Sequence, residues 1–599
     1  MDTFRDLWQY LQAFRTYIGR RMYIVFVLTL MAALAEGLGI ALLLPLLKAT
    51  ETGGAGELDG GLQELLFDML HFIGIGDSIV GILVFIGAVF LGKGLLKFAQ
   101  GGYNGYLQSR LMRELKSKMF DAYCRMDYRY YIQRNTGHFI NVINGQVAGF
   151  YTSFKQLVKF LSTIITTVTY FAVAFAIAWR FALMAVGIGL VILFLFKYLN
   201  VYVRSLSRKS SKEASTMNKL LVQALQSFKY VASTAQLDHL RKGVVDSIYR
   251  YTGYRFRQKI AGSFTSAIKE PISVFFMIGV IIIQITVFND PLAPIFVALI
   301  LFHRGMQSTI TIQSGWQSVM NNIGALEMVM NEFDELEDWH EVGGDTEVGP
   351  IKKSIELREV SFAYDEEDGD VLHDLNLTIP VNTTIALVGE SGAGKSTLVD
   401  LLTLMLRPRT GNVLIDGTPG SEIDLPSWRS QIGYVSQETV VFDDTIANNI
   451  SLWKGDYSND PEHREKVQHA AKEAYAHHFI KDLPNGYETV VGDRGVRLSG
   501  GQRQRLFVAR ELFKRPNLLI LDEATSALDT ESERYIQSSI DALKGEMTVV
   551  IIAHRLSTIK NVDYVYVMDQ GRVIEEGPYD ELREHDGSRF QEMVQMQRL

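Results

Sequence analysis

Gly389-Glu390-Ser391-Gly392-Ala393-Gly394-Lys395-Ser396-Thr397 is the stretch on which the reading of this chain turns. The apolar run Thr384-Ile-Ala-Leu-Val388 precedes it and reads as a buried strand. Leu398-Val-Asp-Leu-Leu-Thr-Leu-Met follows and reads as a helix. Strand, glycine-rich loop and helix form the context in which G-x-x-x-x-G-K-[ST] cradles phosphates. The glycines let backbone N–H groups turn inward, and the helix N-terminus adds its partial positive charge. In such a loop Lys395 reaches the β- and γ-phosphates and the Ser396 hydroxyl binds Mg²⁺.

Working outward, further polar residues stand at the ends of apolar runs. Tyr434-Val-Ser-Gln437 closes one run with an amide able to bond Mg²⁺ or an attacking water. Leu498-Ser499-Gly500-Gly501-Gln502 opens the helix expected over Arg503–Phe513, a second anion site at a helix N-terminus. One ATP has no need of two such sites in one chain, so the second is expected to face the ATP of a partner subunit. Leu518-Leu-Ile-Leu-Asp522-Glu523 reads as a buried strand with carboxylates at its C-terminal edge, where α/β sheets carry their chemistry. Asp522 there is expected to hold Mg²⁺ through water, and Glu523 to polarise the hydrolytic water. The turn Ser526–Asp529 is placed to face a dimer partner. Val549-Val-Ile-Ile-Ala-His554 is another buried strand, ending in a His able to bond the γ-phosphate. Upstream, Tyr364 offers an aromatic face for adenine.

The half before residue 315 has a different composition. A chain of 599 residues exceeds one hydrophobic core, and most of its long apolar runs fall in this half. Six crossings are expected, at about 22–47, 79–100, 155–179, 181–203, 265–288 and 291–315, the last the shortest in apolar length. Residues 1–20 space aromatic and apolar side chains among arginines, as an interfacial helix does. Ala49–Ser78 carries acids and no Lys or Arg, whereas the second–third and fourth–fifth connections are rich in both. The positive-inside rule therefore puts those basic connections, the N-terminus and the second half in the cytoplasm. Each basic connection reads as a pair of long helices turning near Asp127–Asn135 or Ser227–Thr234. The domains expected are 1–20, a membrane domain over 21–325, a linker over 326–354 and an α/β domain over 355–599. A net charge of −8 gives no support to a nucleic-acid partner, and the single cysteine excludes a disulfide framework.

Taken together, the loop 389–397, Gln437, Leu498–Gln502, Asp522–Glu523, Asp529 and His554 resemble, in order and spacing, the ATP-binding cassette transporter family. Tyr364 matches the adenine-stacking aromatic of that family. The resemblance extends over nearly the whole chain and implies a half-size exporter: a polytopic helical membrane domain followed by an α/β P-loop ATPase domain. It implies a homodimer in the cytoplasmic membrane, with Mg²⁺ and ATP held between the phosphate loop of one subunit and Ser499, Gly500, Gly501, Gln502 and Asp529 of the other. Glu523 is then the catalytic carboxylate, with His554 and Gln437 beside it.

For the substrate, Ala35-Glu36-Gly-Leu-Gly-Ile-Ala-Leu-Leu-Leu-Pro45 is similar to the first span of lipid-linked oligosaccharide flippases. Glu36, His303 and Arg304 are ionisable residues within or at the end of apolar spans and are candidates for a substrate cavity. An amphipathic lipid or lipid-linked glycan is the expected substrate. A multidrug or small-peptide exporter is the alternative, and an ATP-gated channel or regulatory subunit a third reading that an intact Glu523 argues against.

Overall fold

The computed structural model describes residues 19–43, 68–75, 78–177, 197–268, 311–365, 369–492, 495–522, 530–553 and 555–598, with isolated positions between them. The chain divides into two compact units, Met1–Met126 with Tyr130–His340, and Asp127–Arg129 with Glu341–Leu599. The interfacial helix expected over 1–20 and most of the fourth to sixth expected spans lie outside the described residues.

The first unit is built from Met22–Ala41 (α1), Ile79–Cys124 (α2), Val147–Ile177 (α3), Lys197–Gln226 (α4), Leu237–Ala267 (α5) and Ile323–Asp338 (α6). Among the described residues, three helices are long and apolar enough to cross a membrane: Gly19–Ala41, Ile79–Cys124 and Thr136–Val173. At 1.5 Å per residue α2 is about 70 Å long, more than twice a hydrocarbon core of about 30 Å. Its sequence changes character accordingly. Val80, Val84, Leu91, Leu95 and Phe98 are exposed, as lipid-facing residues must be, while Leu107, Leu111, Leu115 and Met119 bury one stripe four residues apart.

The turns expected after α2 and α4 contain short helices of their own, Tyr128–Ile132 and Phe228–Ser233. The stretch assigned to a linker, 326–354, is helical in its first part because α6 buries Ile323, Leu326, Val329 and Leu336 along one face. One of its acids sits at the centre of a buried cluster. Buried Glu332 accepts bonds from the hydroxyls of Tyr123 at 2.8 Å and Tyr130 at 3.0 Å, and its other oxygen lies 2.8 Å from His138 Nε2. Burial pushes this carboxyl up, but the bonds from His138 and the two tyrosines outweigh it and hold it below the ordinary carboxylate range.

In the second unit, Ser354–Phe362 (β1), Leu372–Pro380 (β2), Thr410–Ile415 (β4) and Thr418–Pro419 (β5) form an antiparallel sheet in the order β2-β1-β4-β5. A second sheet contains Thr384–Gly389 (β3), Ile432–Val435 (β6), Leu518–Asp522 (β7), Thr548–Ile552 (β8), Tyr564–Asp569 (β9) and Arg572–Gly577 (β10), ordered β10-β9-β3-β8-β7-β6. From β9 to β6 every pairing is parallel, and β10 runs antiparallel at the edge. β3 contributes Ile385 and Leu387 to one core and Ala386 and Val388 to another. Burial on both faces is why its sequence is continuously apolar. Tyr128, grouped with this unit, is half-buried against the core containing Ile385.

Candidate functional site

The parallel sheet delivers its polar residues to one edge. β3, β6, β7 and β8 share a direction, so Gly389, Gln437 beyond Val435, and Asp522 all lie at their C-terminal ends. At Gly394 the backbone is left-handed, φ 94°, and a Cβ would stand 2.5 Å from Leu372 Cδ2. Conformation and space both require glycine there. Gly394 caps Lys395–Leu402 (α7). Lys395 is 5 % exposed, and its Nζ donates to the carbonyl oxygens of Gly389 and Glu390 at 2.8 Å each. The ammonium thus folds back over the loop. Ser391, Gly392 and Ser396 are exposed, whereas Ala393 and Thr397 are buried. Thr397 Oγ1 lies 2.9 Å from the Tyr364 hydroxyl, and the Tyr364 ring meets Phe362 edge-on, so the aromatic stands beside the loop. Glu390 pairs with Arg589 at 2.6 Å.

Asp522 is buried at the end of β7 and accepts a bond from the Tyr434 hydroxyl at 3.3 Å. Asp400, on α7, is close enough to feel it: burial and then the charge of Asp522 push the Asp400 carboxyl up to about 6. Burial and these two carboxylates also raise the Tyr434 phenol. Sequence reasoning missed Asp400 and Tyr434. The available signal was a single acid among the apolar residues of 398–402, about one and a half turns past Lys395.

Gly500–Phe513 (α8) begins three residues before the expected start because Ser499 caps it. Ser499 Oγ accepts from Gln502 N–H at 3.2 Å, and Gln502 Oε1 accepts from Ser499 N–H at 2.9 Å, a reciprocal capping box. Ser499 and Gly500 are exposed, with open space where a Gly500 Cβ would be, while Gly501 is buried. Farther along α8, buried Arg510 donates to the Asn449 and Val440 carbonyls at 2.7 Å each, and burial lowers it to about 10. Glu523, Asp529 and His554 lie outside the described residues.

The first unit holds a polar crevice of about 470 Å³ between apolar helices, lined among others by Thr29, Glu36, Lys97, Lys159 and Tyr170. Glu36 is buried and pairs with Lys93 at 2.8 Å, with Lys97 at 4.0 Å. Gln100 donates to Thr29 Oγ1 at 2.5 Å, and that oxygen lies 3.2 Å from Ser162 Oγ. Lys97 and Lys159 therefore join Glu36 in the candidate cavity, and Lys93 supports it as the ion-pair partner of Glu36. His303 and Arg304 lie outside the described residues.

A phosphate loop at the edge of a parallel sheet, following a membrane domain of long helices, defines a transport ATPase. Family models agree: the model of the ABC transporter transmembrane region matches residues 22–310, and the ABC transporter model matches residues 372–526. The chain is 33 % identical to the heterocyst differentiation ATP-binding protein HepA of Nostoc sp., over 81 % of this chain and 79 % of that protein. It is 30 % identical to the ATP-dependent lipid A-core flippase of Photobacterium profundum, over 98 % and 97 % of the two chains. A solved bacterial Atm1-family ABC exporter with ATP bound superposes with a TM-score of 0.77 at 26 % identity, covering 97 % of this chain and 98 % of that one. The protein belongs to the ABC transporter family. It is a multi-pass membrane protein of the half-size exporter type that binds ATP and couples its hydrolysis to transport.

Proposed function

We propose that this exporter moves an amphipathic substrate, a lipid or lipid-linked glycan, across the cytoplasmic membrane by alternating access of a homodimer. The observation that carries the reading is the crevice around Glu36: lysines and hydroxyls drawn together between helices whose other faces are apolar. Ionisable groups at that depth are costly and mark a substrate path, and a polar headgroup gives them partners while an acyl tail remains in lipid. The lipid A-core flippases among the relatives support the same class of substrate.

Each ATP lies, in this proposal, between the 389–397 loop of one subunit and Ser499, Gly500, Gly501, Gln502 and Asp529 of its partner. The exposed, capped start of α8 supports that arrangement, since free N–H groups at a helix start suit a phosphate. Lys395 exchanges its two carbonyl partners for phosphate oxygens. Ser396, Gln437 and Asp522 would hold Mg²⁺. Hydroxyl, amide and carboxylate oxygens suit this hard cation, and the mutual effect of Asp400 and Asp522 marks a site where negative charge is concentrated. When bound, the ion neutralises charge on the phosphates. Tyr364 contributes its ring face to adenine, Glu523 orients and polarises the hydrolytic water, and His554 bonds the γ-phosphate. The domain limits proposed are 21–325 for the membrane domain and 355–599 for the cassette.

The test is Glu523→Gln in proteoliposomes. Turnover should fall more than a hundredfold while ATP is still bound and the closed dimer accumulates; wild-type turnover would refute the assigned role. The wild type should show ATPase stimulated by amphipathic lipid with movement of that lipid between leaflets. Conductance that tracks ATP without lipid movement would show a channel instead.

A further inference from the structure

β6 is short and stands at the edge of the parallel sheet. Ile432, Gly433 and Val435 are buried, and Tyr434 brings the only polar side chain of the strand. Pairing with β7 sets Tyr434 against Ile520. Side chains two apart on a strand share a face, so Ile520 and Asp522 point to the side on which the Tyr434 ring lies. The two cores bear this out. Tyr434 packs on the core that contains Leu518 and Ile520, whereas Val435 belongs to the core of Leu519 and Leu521. The ring is thereby aimed along β7 toward its last residue, and the hydroxyl donates to Asp522 Oδ2 at 3.3 Å.

The backbone of Tyr434 is anchored separately. An edge strand carries N–H groups that no further strand accepts. That of Tyr434 donates to Glu511 Oε2 at 3.1 Å. Glu511 is 4 % exposed on α8, and the same oxygen pairs with Lys514 at 2.6 Å. The helix that begins after Ser499 thus holds the backbone of Tyr434, while strand pairing directs its ring.

Asp522 also has an acid beside it. Asp400 on α7 feels its charge, and like charges repel without setting an orientation. A phenol supplies a hydrogen to one oxygen and so fixes the plane of the carboxylate. Burial and then the charges of Asp522 and Asp400 raise this phenol above its ordinary value of about 10, so at neutral pH it is a donor. We propose that Tyr434 is a positioning residue of the metal site: its hydroxyl sets Asp522 in the orientation in which that carboxylate holds Mg²⁺. The inference rests on the role of Asp522 proposed above and adds the group that orients it.

Full-length protein in detergent is titrated with the fluorescent nucleotide TNP-ADP, once with Mn²⁺ and once with EDTA. The ratio of the two affinities measures what the metal adds. Tyr434→Phe deletes one oxygen atom and keeps the ring. It should cut that ratio about fivefold and leave the EDTA affinity within twofold. A side chain that only supports the fold would weaken both titrations alike, and that result would overturn the inference. Asp522→Asn should cut the ratio about tenfold. Adding Tyr434→Phe to it should change the ratio by less than twofold, since a residue acting through Asp522 has nothing further to lose. A full further fivefold loss in the double variant would show that Tyr434 acts independently, and the inference would fall. Turnover in proteoliposomes gives a second reading. Tyr434→Phe should raise the Mg²⁺ concentration for half-maximal ATPase about fivefold, more than it lowers kcat. A fall in kcat with the Mg²⁺ requirement unchanged would also overturn the inference. If Asp522→Asn leaves the ratio where it was, the proposed role of Asp522 fails first. If that variant moves the ratio and Tyr434→Phe does not, only the role of Tyr434 falls.

Discussion

The consecutive residues 389–397 supply the phosphate loop, whereas the crevice around Glu36 draws Thr29, Lys97, Lys159 and Tyr170 from three different helices. The loop works largely through its backbone. Gly394 adopts φ 94° where a Cβ has no room, Lys395 bonds two carbonyls of the same loop, and all of it follows from one short run. The crevice works through side chains whose positions depend on how α1, α2 and α3 pack. A site of the first kind tolerates almost no change at its lysine. One of the second kind shares its function among several groups and loses it by degrees.

That contrast is sharpest at Lys395. In Lys395→Ala the charge-assisted bonds proposed to phosphate are lost, each worth about 1.5–3 kcal/mol. ATP affinity should fall about a thousandfold, on the order of 4 kcal/mol. Titration with a fluorescent ATP analogue reads this directly, and a change under threefold would place phosphate binding elsewhere.

The same contrast explains what was legible in the sequence. β3, β7 and β8 emerge within a residue or two of the runs at Thr384, Leu518 and Val549, because strands buried on both faces are written as unbroken apolar stretches. The sequence reading starts α8 at Arg503 because Ser499 reads as a ligand-facing residue, whereas Ser499 also caps the helix. Asp400 and Tyr434 went unseen since no motif marks them; only the fold sets them beside Asp522. In the first unit the hydrophobic stripe at Leu111, Leu115 and Met119 was readable from spacing alone. Glu36 stands out as an ionisable residue in an apolar span, yet its partner Lys93 lies on another helix and periodicity cannot choose it. Glu332 falls within 326–354, the stretch that reads as a linker, although α6 buries it beneath Tyr123, Tyr130 and His138.

Glu332 supplies the next test, as a polar cluster inside the unit whose crevice is also made of scattered side chains. Glu332→Ala leaves two tyrosine hydroxyls and a histidine nitrogen without their acceptor, at about 1 kcal/mol or more each, so a loss of about 3 kcal/mol is expected. Thermal unfolding in detergent measures it. The pH dependence has a definite sign. The folded carboxyl is held below its ordinary value, so its stabilisation is complete above the ordinary carboxylate range and disappears as pH falls through the lowered value. The gap between wild type and Glu332→Gln should therefore close only below about pH 4.5. A gap that closes on the alkaline side would mean that a group other than the carboxylate carries the pH dependence of the cluster.

The smallest effect belongs to the crevice itself. Lys93→Ala strips Glu36 of its nearest cation, but Lys97 at 4.0 Å remains and the carboxyl can take up a proton. A cost of about 2 kcal/mol follows, below the 3–5 kcal/mol typical when a fully buried pair loses one member. Removing both charges, in Glu36→Gln/Lys93→Met, should recover most of that stability, because paired charges in an apolar setting gain little over neutral groups of the same shape. Transport separates structure from function here. If the pair serves only packing, the double variant moves lipid at the wild-type rate. If the crevice receives a polar headgroup, the double variant folds as well as wild type yet loses transport in part, about threefold to tenfold, since Lys97, Lys159 and the hydroxyls persist. A complete loss would show that one pair, like the lysine of the phosphate loop, carries the whole site, and the contrast between the two regions would not hold.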